Sequence, residues 1–280
     1  MSIDESRLQD PLLERDSTSP EADAGLSPSK KRKRARDGEV EVEVASKKEL
    51  KKAKKRKAAK MEEEDLDLEA GLNKAFSHMD SQLLADYIAQ KTRKYQTDLS
   101  SIELEDKYIN ANAIHETTSW NKLRTLDNLP GFLEKFAGNS TKLWSASKKN
   151  GAPHTIIVTA AGLRAADIAR AVRKFQTKDA AVAKLFAKHI KLQDSIKFLK
   201  STRTGIAVGT PTRLKDLMDE GALAVDRLER IVIDASHIDI KKRGVLDMKE
   251  TQVPLIAWLG QSEFKERYTA AEKGLQLLFY

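Results

Sequence analysis

The chain has 280 residues, 40% of them hydrophobic, enough for one ordinary core with a remainder left over. Fifty Lys and Arg against 42 Asp and Glu leave a formal charge of +8, which favours polyanionic partners and nucleic acid first, because such cations gain free energy by displacing counterions from phosphate. The lack of Cys excludes disulfides and thiolate metal sites, the five His show no metal-ligand spacing, and the longest apolar run falls far short of the ~20 residues of a membrane span; the expectation is a soluble intracellular protein with no metal and no membrane contact.

Residues 1 to about 70 carry few large apolar side chains, several Ser-Pro and Asp-Pro breaks and blocks of charge. They cannot bury enough surface to offset the entropy of ordering and are predicted to be disordered. The first basic block, "KKRKRAR", runs from Lys30 through Lys31, Arg32, Lys33 and Arg34 to Arg36. The second, "KKELKKAKKRKAAK", spans Lys47 to Lys60 and is densest at Lys54, Lys55, Arg56 and Lys57, before the sign reverses in "EEEDLDLE" from Glu62. A solvated polyelectrolyte is one reading of these blocks. Their density favours the other, nuclear or nucleolar import together with non-specific RNA contact. The Ala/Leu/Lys/Glu context of residues 46–60 also suits a helix that forms once phosphate neutralises its self-repulsion.

From Leu72 the apolar residues recur at three- and four-residue steps through Phe76, Met79, Leu83, Leu84, Tyr87 and Ile88, the period of an amphipathic helix. Asp80 or Ser81 is placed to cap a helix that fades near Lys94. The connector that follows spaces Leu99, Ile102, Leu104, Tyr108, Ile109 and Ile114 as an extended arm lying along a surface, with Trp120 and Leu126 anchoring its end. That surface is either the chain's own core or a partner. Pro130 and Gly131 punctuate the boundary before a short helix, "FLEKFAG". The expected organisation is a tail over 1–70, a helical and extended arm over 71–129 and an α/β domain over 130–280.

In that last region "TIIVTAAGLRAADIARAVRKF" reads as strand, small-residue turn and helix. The order repeats in "GIAVGTPTRLKDLMDEGAL", with a strand over Ile206 to Val208, Thr210 as candidate N-cap, Pro211 at the first helical position and Gly221 as the stop. It repeats again in "LERIVIDASHID", and "GLQLLFY" is a last strand. Short apolar strands alternating with amphipathic helices predict a parallel sheet covered on both faces. Ligands of such sheets gather at the carboxyl ends of the strands, where helix N-termini offer N–H groups to anions. Three loops fall there: "TAAGLRAAD", "GTPTR" and "DASHID". Alone, Gly-Thr-Pro is a well-started helix; the ordered set points to a site.

From Ile156 onward these residues resemble the first RecA-like domain of DEAD-box RNA helicases. "IIVTAAGLRAADIARAVRKF" aligns with the element bearing that family's Pro-Thr-Arg-Glu-Leu-Ala motif, "VGTPTRL" with its Thr-Pro-Gly-Arg motif and "IVIDASH" with its Val-Leu-Asp-Glu-Ala-Asp motif. "LQLLFY" resembles the strand leading to its Ser-Ala-Thr motif. The catalytic parts are missing. No Gly-x-x-x-x-Gly-Lys-Ser/Thr phosphate loop occurs, and no second RecA-like domain is expected. Asp234 stands where the resemblance places a metal-binding Asp, but Ala235 replaces the carboxylate beside it, Ser236 follows, and His237 replaces the last one, so the general base is gone.

The resemblance leaves Thr159, Gly162, Arg164, Thr210, Arg213 and Lys215 as candidate RNA contacts, with Gly162 where the family has Arg and Arg164 either restoring that charge or facing solvent. Together "LLADYIAQKTRKY", "LSSIELEDKYI", "TLDNLPGFLEKF", "AAGLRAAD", "GTPTRL" and the non-acidic "DASH" look like the nucleolar Cms family, single-RecA-domain relatives of DEAD-box proteins, over residues 72–280. That resemblance implies a non-catalytic assembly factor of the early small-subunit pre-ribosome, located in the nucleus and nucleolus, with pre-ribosomal RNA and small-subunit pre-ribosome proteins as partners and no cofactor or small-molecule substrate. Two alternatives stand beside it. One is a protein-docking module that touches RNA only through the tail; the other is an enzyme, either a residual ATPase or a hydrolase on "SHID", where Ser236, His237 and Asp239 lie too close in sequence for ordinary triad geometry.

Overall fold

A computed structural model describes residues 65–270 and 274–280. The basic clusters at 30–36 and 47–60 and the helix expected over 46–60 lie outside the described residues. The description opens on an antiparallel ribbon, β1 (Leu66–Asp67) and β2 (Leu72–Asn73), which therefore begins within the segment expected to be unordered to about 70. The ribbon holds because Asp67 accepts the Ala70 amide in the turn, Gly71 takes a φ of +65° that other residues resist, and Leu72 is buried.

After a 3-10 turn over Lys74–Ser77 comes α1 (Ser81–Tyr95), capped by the Asp80 carboxylate on the Leu83 amide at 2.8 Å. It buries Leu84, Ala85 and Ile88. A cluster around Asp247 anchors it: the Tyr87 hydroxyl and Lys91 ammonium both donate to Asp247 Oδ1, and the Tyr95 hydroxyl donates to the Asp247 carbonyl. Burial pushes the Asp247 carboxyl up, but the hydrogen bond and charge of Lys91 outweigh it and hold it below the usual range.

The arm differs from expectation in two places. A short helix, α2 (Ser101–Lys107), interrupts it, closed by a capping box in which Ser100 and Glu103 satisfy each other's amides. The next helix, α3 (Leu129–Phe136), includes Pro130 and Gly131 rather than following them, because a Pro in the first turn loses no helical hydrogen bond.

The α/β region then runs β3 (Thr155–Val158), α4 (Gly162–Ala171), β4 (Ala181–Leu185), α5 (Leu192–Ser201), β5 (Thr204–Gly209), α6 (Pro211–Asp219), β6 (Arg230–Ile233), α7 (Lys249–Leu259), α8 (Ser262–Tyr268) and β7 (Gln276–Phe279). The five long strands form one sheet in the order β4-β5-β3-β6-β7, every pair parallel. This is the single α/β parallel-sheet domain that the alternating pattern predicts.

Period-2 alternation sorts the strands between two apolar layers. Ile156, Val158, Ile231, Ile233, Leu277 and Phe279 pack with residues of α1, α5, α6, α7 and α8, while Ile157, Val208, Val232 and Leu278 pack with α3 and α4. The arm belongs to the chain's own core: Ile109, Ala113 and Ile114 join the first layer and Trp120 the second. Ile102, which the arm reading counted as a contact, is exposed on α2.

Candidate functional site at the carboxyl ends of the strands

Backbone bonds continue one step past the strands and draw their exits together. Thr159 N–H donates to Gly209 O at 3.1 Å, Thr210 N–H to Leu185 O at 3.3 Å, Asp234 N–H to Val158 O at 2.9 Å and Tyr280 N–H to Ile233 O at 2.8 Å. Into this crevice Thr159 Oγ1 donates to Asp234 Oδ2 at 2.8 Å. Arg164, in the first turn of α4, reaches back over it, with Nε 2.9 Å from Oδ2 and Nη2 3.0 Å from Oδ1. This is a two-pronged fork on a carboxylate whose side chain is 3% exposed, from a guanidinium side chain that is 12% exposed.

The fork corrects the sequence expectation for Arg164. It neither faces solvent nor is held out toward a phosphate. It also engages both carboxylate oxygens of Asp234, Oδ2 with two donors and Oδ1 with one.

The other candidates are similarly engaged. Gly162 starts α4 under the chain that follows β4, and a Cβ there would stand 3.1 Å from Lys188 Cβ. Thr210 occupies the N-cap position of α6 as expected, but its side chain makes no capping bond. Arg213 is buried and donates to Ile190 O at 3.1 Å and Ser195 Oγ at 3.4 Å, bracing the start of α5. Lys215 pairs with Asp219 one turn along α6. The three cationic candidates therefore all have internal partners, two of them in the interior.

The degenerate acidic motif is roofed by the chain itself. The amides of Ala235 and Ser236 both donate to Tyr280 O at 2.8 Å. On the other side Asn73 N–H donates to Ser236 O at 2.7 Å and Ile238 N–H to Gly71 O at 3.0 Å, so β2 lies antiparallel across residues 236–238. His237 is half-buried, and burial followed by the Arg164 charge pushes its imidazolium below the ordinary range. Asp239 is tied to Arg243 at 2.8 Å and to the amides of Lys241 and Arg243. Among the described residues its carboxylate is hydrogen-bonded to Arg243 and these amides, not to His237.

The free edge of β7 is covered too. Ile114 bridges Leu277, His115 N–H donates to Leu277 O, the buried Arg124 guanidinium donates to Phe279 O and Thr117 Oγ1, and Tyr280 OH donates to Thr125 O. The covering stretch, residues 114–124, contains no Gly and so lacks the residue that a phosphate-cradling loop favours. A cleft of about 330 Å³ remains there, lined by Asn73, Lys74, Asn121, Lys122 and Ser236 among others. Sequence reasoning missed this cleft, because its walls come from three separate segments, residues 72–78, residues 118–124 and Ser236.

Fold and site define an α/β domain on a five-stranded parallel sheet in which the carboxylate of the acidic motif is held by an internal Arg and the motif is covered by the chain's own N-terminal ribbon. Residues 26–280 match the family model CMS1, described as the U3-containing 90S pre-ribosomal complex subunit. The chain belongs to this family, as the string-by-string resemblance led one to expect. Among its relatives, Protein CMS1 of Chaetomium thermophilum is 62% identical over 216 residues, covering 77% of this chain and 86% of that protein. Protein cms1 of Schizosaccharomyces pombe is 32% identical over 200 residues, covering 71% and 68%, and Protein CMSS1 of Homo sapiens 28% over 170, covering 60% and 56%. A solved structure, the yeast DEAD-box splicing factor Prp28, aligns with 50% of this chain and 28% of its own at 20% identity and a TM-score of 0.34. The α/β assignment rests on the parallel sheet and not on that superposition.

Proposed function

We propose that this chain is a non-catalytic assembly factor of the early small-subunit pre-ribosome, acting in the nucleus and nucleolus by binding pre-ribosomal RNA and proteins of that particle. The family supplies the particle. The observation that carries the non-catalytic part is the fork of Arg164 on Asp234, which occupies the one carboxylate left of the acidic motif. Two features of the sequence support it, the missing phosphate loop and the lost general base. The basic blocks at 30–36 and 47–60 supply the electrostatic means of holding RNA.

The inward turn of Arg164 and Arg213 favours one variant of this reading, in which the strand-end loops serve protein docking and RNA is held elsewhere. The test is to tag the protein in cells, crosslink it to RNA with ultraviolet light and sequence the attached fragments, alongside phosphate release from ATP by the purified chain with RNA. Expected are reads concentrated on the small-subunit precursor or its guide RNA, and phosphate release at the buffer background. Reads spread over all abundant RNA would sink the RNA part of the proposal, and RNA-stimulated phosphate release would sink the non-catalytic part.

A further inference from the structure

The charge of the folded part is concentrated in one place. Residues 65–280 carry 33 Lys and Arg against 27 Asp and Glu, a net of +6. Residues 170–200 alone carry nine against two, a net of +7, so the rest of that part is close to neutral. This stretch forms the end of α4, the 3-10 turn after it, the strand β4 and most of α5. β4 is an edge strand, hydrogen-bonded only to β5.

Beside that edge lies a groove of about 490 Å³, lined by Arg170, Arg173, Lys184, Ile190, Asp194 and Phe198 among others. The cations of residues 170–200, of which Arg170, Arg173 and Lys184 line the groove, are largely unneutralised. Arg170 pairs with Asp167 and Lys174 with Glu134, but Arg173, Lys184, Lys188, Lys191 and Lys197 are exposed and form no ion pair with a described carboxylate. Phe198 holds 38% of its surface in solvent although it sits in α5, whose Ile196 and Leu199 are buried.

A Lys on an edge strand guards against unwanted strand pairing, which accounts for Lys184. It does not account for cations on the helices and loop around it, or for an aromatic ring left out beside them. Protein interfaces deplete Lys at their centres, whereas nucleic-acid interfaces are strongly positive, and grooves for single strands pair such charge with aromatic rings on which bases stack. With Arg164 and Arg213 turned inward, this groove offers the unpaired cations Arg173 and Lys184 together with an exposed ring, Phe198.

We propose that the groove along β4 is the RNA-binding surface of the folded domain and takes a single-stranded segment, its phosphates on the Lys and Arg rim and a base against Phe198. This rests on the reading that RNA is a partner of the chain. The test crosslinks the full chain to single-stranded RNA carrying 4-thiouridine, identifies the crosslinked peptides by mass spectrometry, and measures affinity for the same RNA as a function of salt. Crosslinks are expected within residues 170–200, and Phe198→Ala should lower their yield several-fold.

The triple variant Arg173→Glu, Lys184→Glu, Lys191→Glu should weaken binding at least about tenfold and reduce the salt slope by about 2, at roughly 0.7 per phosphate contact on a single strand. The reversal Lys94→Glu, Lys241→Glu, Lys249→Glu, at exposed positions on other elements, should do neither. All these side chains are on the surface, so unchanged melting confirms that each variant is folded. Crosslinks confined to residues 1–64, with affinity indifferent to the triple variant, overturn the groove and leave RNA as a partner through the tail. An absence of binding and crosslinks in the unaltered chain overturns both. Retained RNA affinity with loss of polyglutamate binding in the triple variant also overturns the proposal and makes the groove a site for acidic protein.

Discussion

Arg164→Met removes the guanidinium from Asp234 and leaves a carboxylate that is 3% exposed with one hydroxyl, Thr159 Oγ1, as its remaining side-chain donor. Breaking a buried ion pair from one side costs about 3–5 kcal/mol, because the surviving charge stays desolvated. The Arg164 side chain is 12% exposed and water reaches part of the pair, which puts the expected loss near the lower end, at about 3 kcal/mol. For a body of this size that is a fall in melting temperature of roughly 6–12 °C. Arg164→Lys keeps the charge but not the fork and should fall between. Urea unfolding followed by tryptophan fluorescence suits the measurement, since Trp120, Trp144 and Trp258 all lie within the fold. Combining Arg164→Met with Asp234→Asn should recover at least about 1 kcal/mol relative to the sum of the two single losses, the signature of direct coupling. A loss below about 0.5 kcal/mol in Arg164→Met would refute the reasoning. It would mean that the guanidinium is already screened by water, and would restore it as a candidate phosphate contact.

Two further outcomes follow from the packing. Burial first, and the nearby Arg230 charge second, push the His154 imidazolium down from 6.5 to about 4, so the fold holds this ring neutral while the unfolded chain protonates it near 6.5. Its stabilisation is whole above pH 6.5 and is lost as the pH falls toward 4, by about 2 kcal/mol between pH 7.5 and 5; urea midpoints at these two values should differ less in His154→Gln than in the unaltered chain, and an equal difference would refute the assignment. At Gly209 a Cβ would stand 2.5 Å from Leu185 O and 2.9 Å from Leu214 Cγ. Gly209→Ala should therefore cost about 1–3 kcal/mol in the same unfolding assay, and a neutral result would show that the β4 exit can yield.

The elements read from the sequence were those whose signals are local. Asp80 capping α1, Pro211 opening α6 and the β-branched core of β3 announce themselves within a few residues. Ser100 and Glu103 carry the same kind of signal for α2, but it competes with an apolar spacing around them that reads as an extended arm. β4 and α5 were not predicted because "AVAKL" is short and places a Lys at an edge, where burial does not enforce a continuous apolar run. α7 was obscured by Pro254 within it.

At the site the residues were in view and their directions were not. Nothing in the spacing of Arg164 tells that its side chain folds back onto a carboxylate 70 positions later, or that Gly71 to Asn73 lie across Ser236 and Ile238. The basic groove is a different case, since its charge excess can be counted from the sequence alone.

The seal along β7 bears on the order in which this chain can fold. Thr117 and Phe279 are 162 positions apart, yet the hydroxyl of one meets the carbonyl of the other, and Ile114, His115, Arg124 and Thr125 are fastened to the same last strand. A growing polypeptide presents these residues in the opposite order to their need: the arm, at Thr117, emerges 162 residues before its docking edge at Phe279. Closing so long a loop adds little to the free energy of the finished fold, because the entropic cost rises only with the logarithm of length. It is the waiting time that grows, and during it Ile114 and His115 lack the Leu277 edge they pair with. The last strand thus acts as a latch for segments made far earlier, and a nascent chain halted before Leu277 leaves the arm without its anchorage even though every residue of the arm has been made.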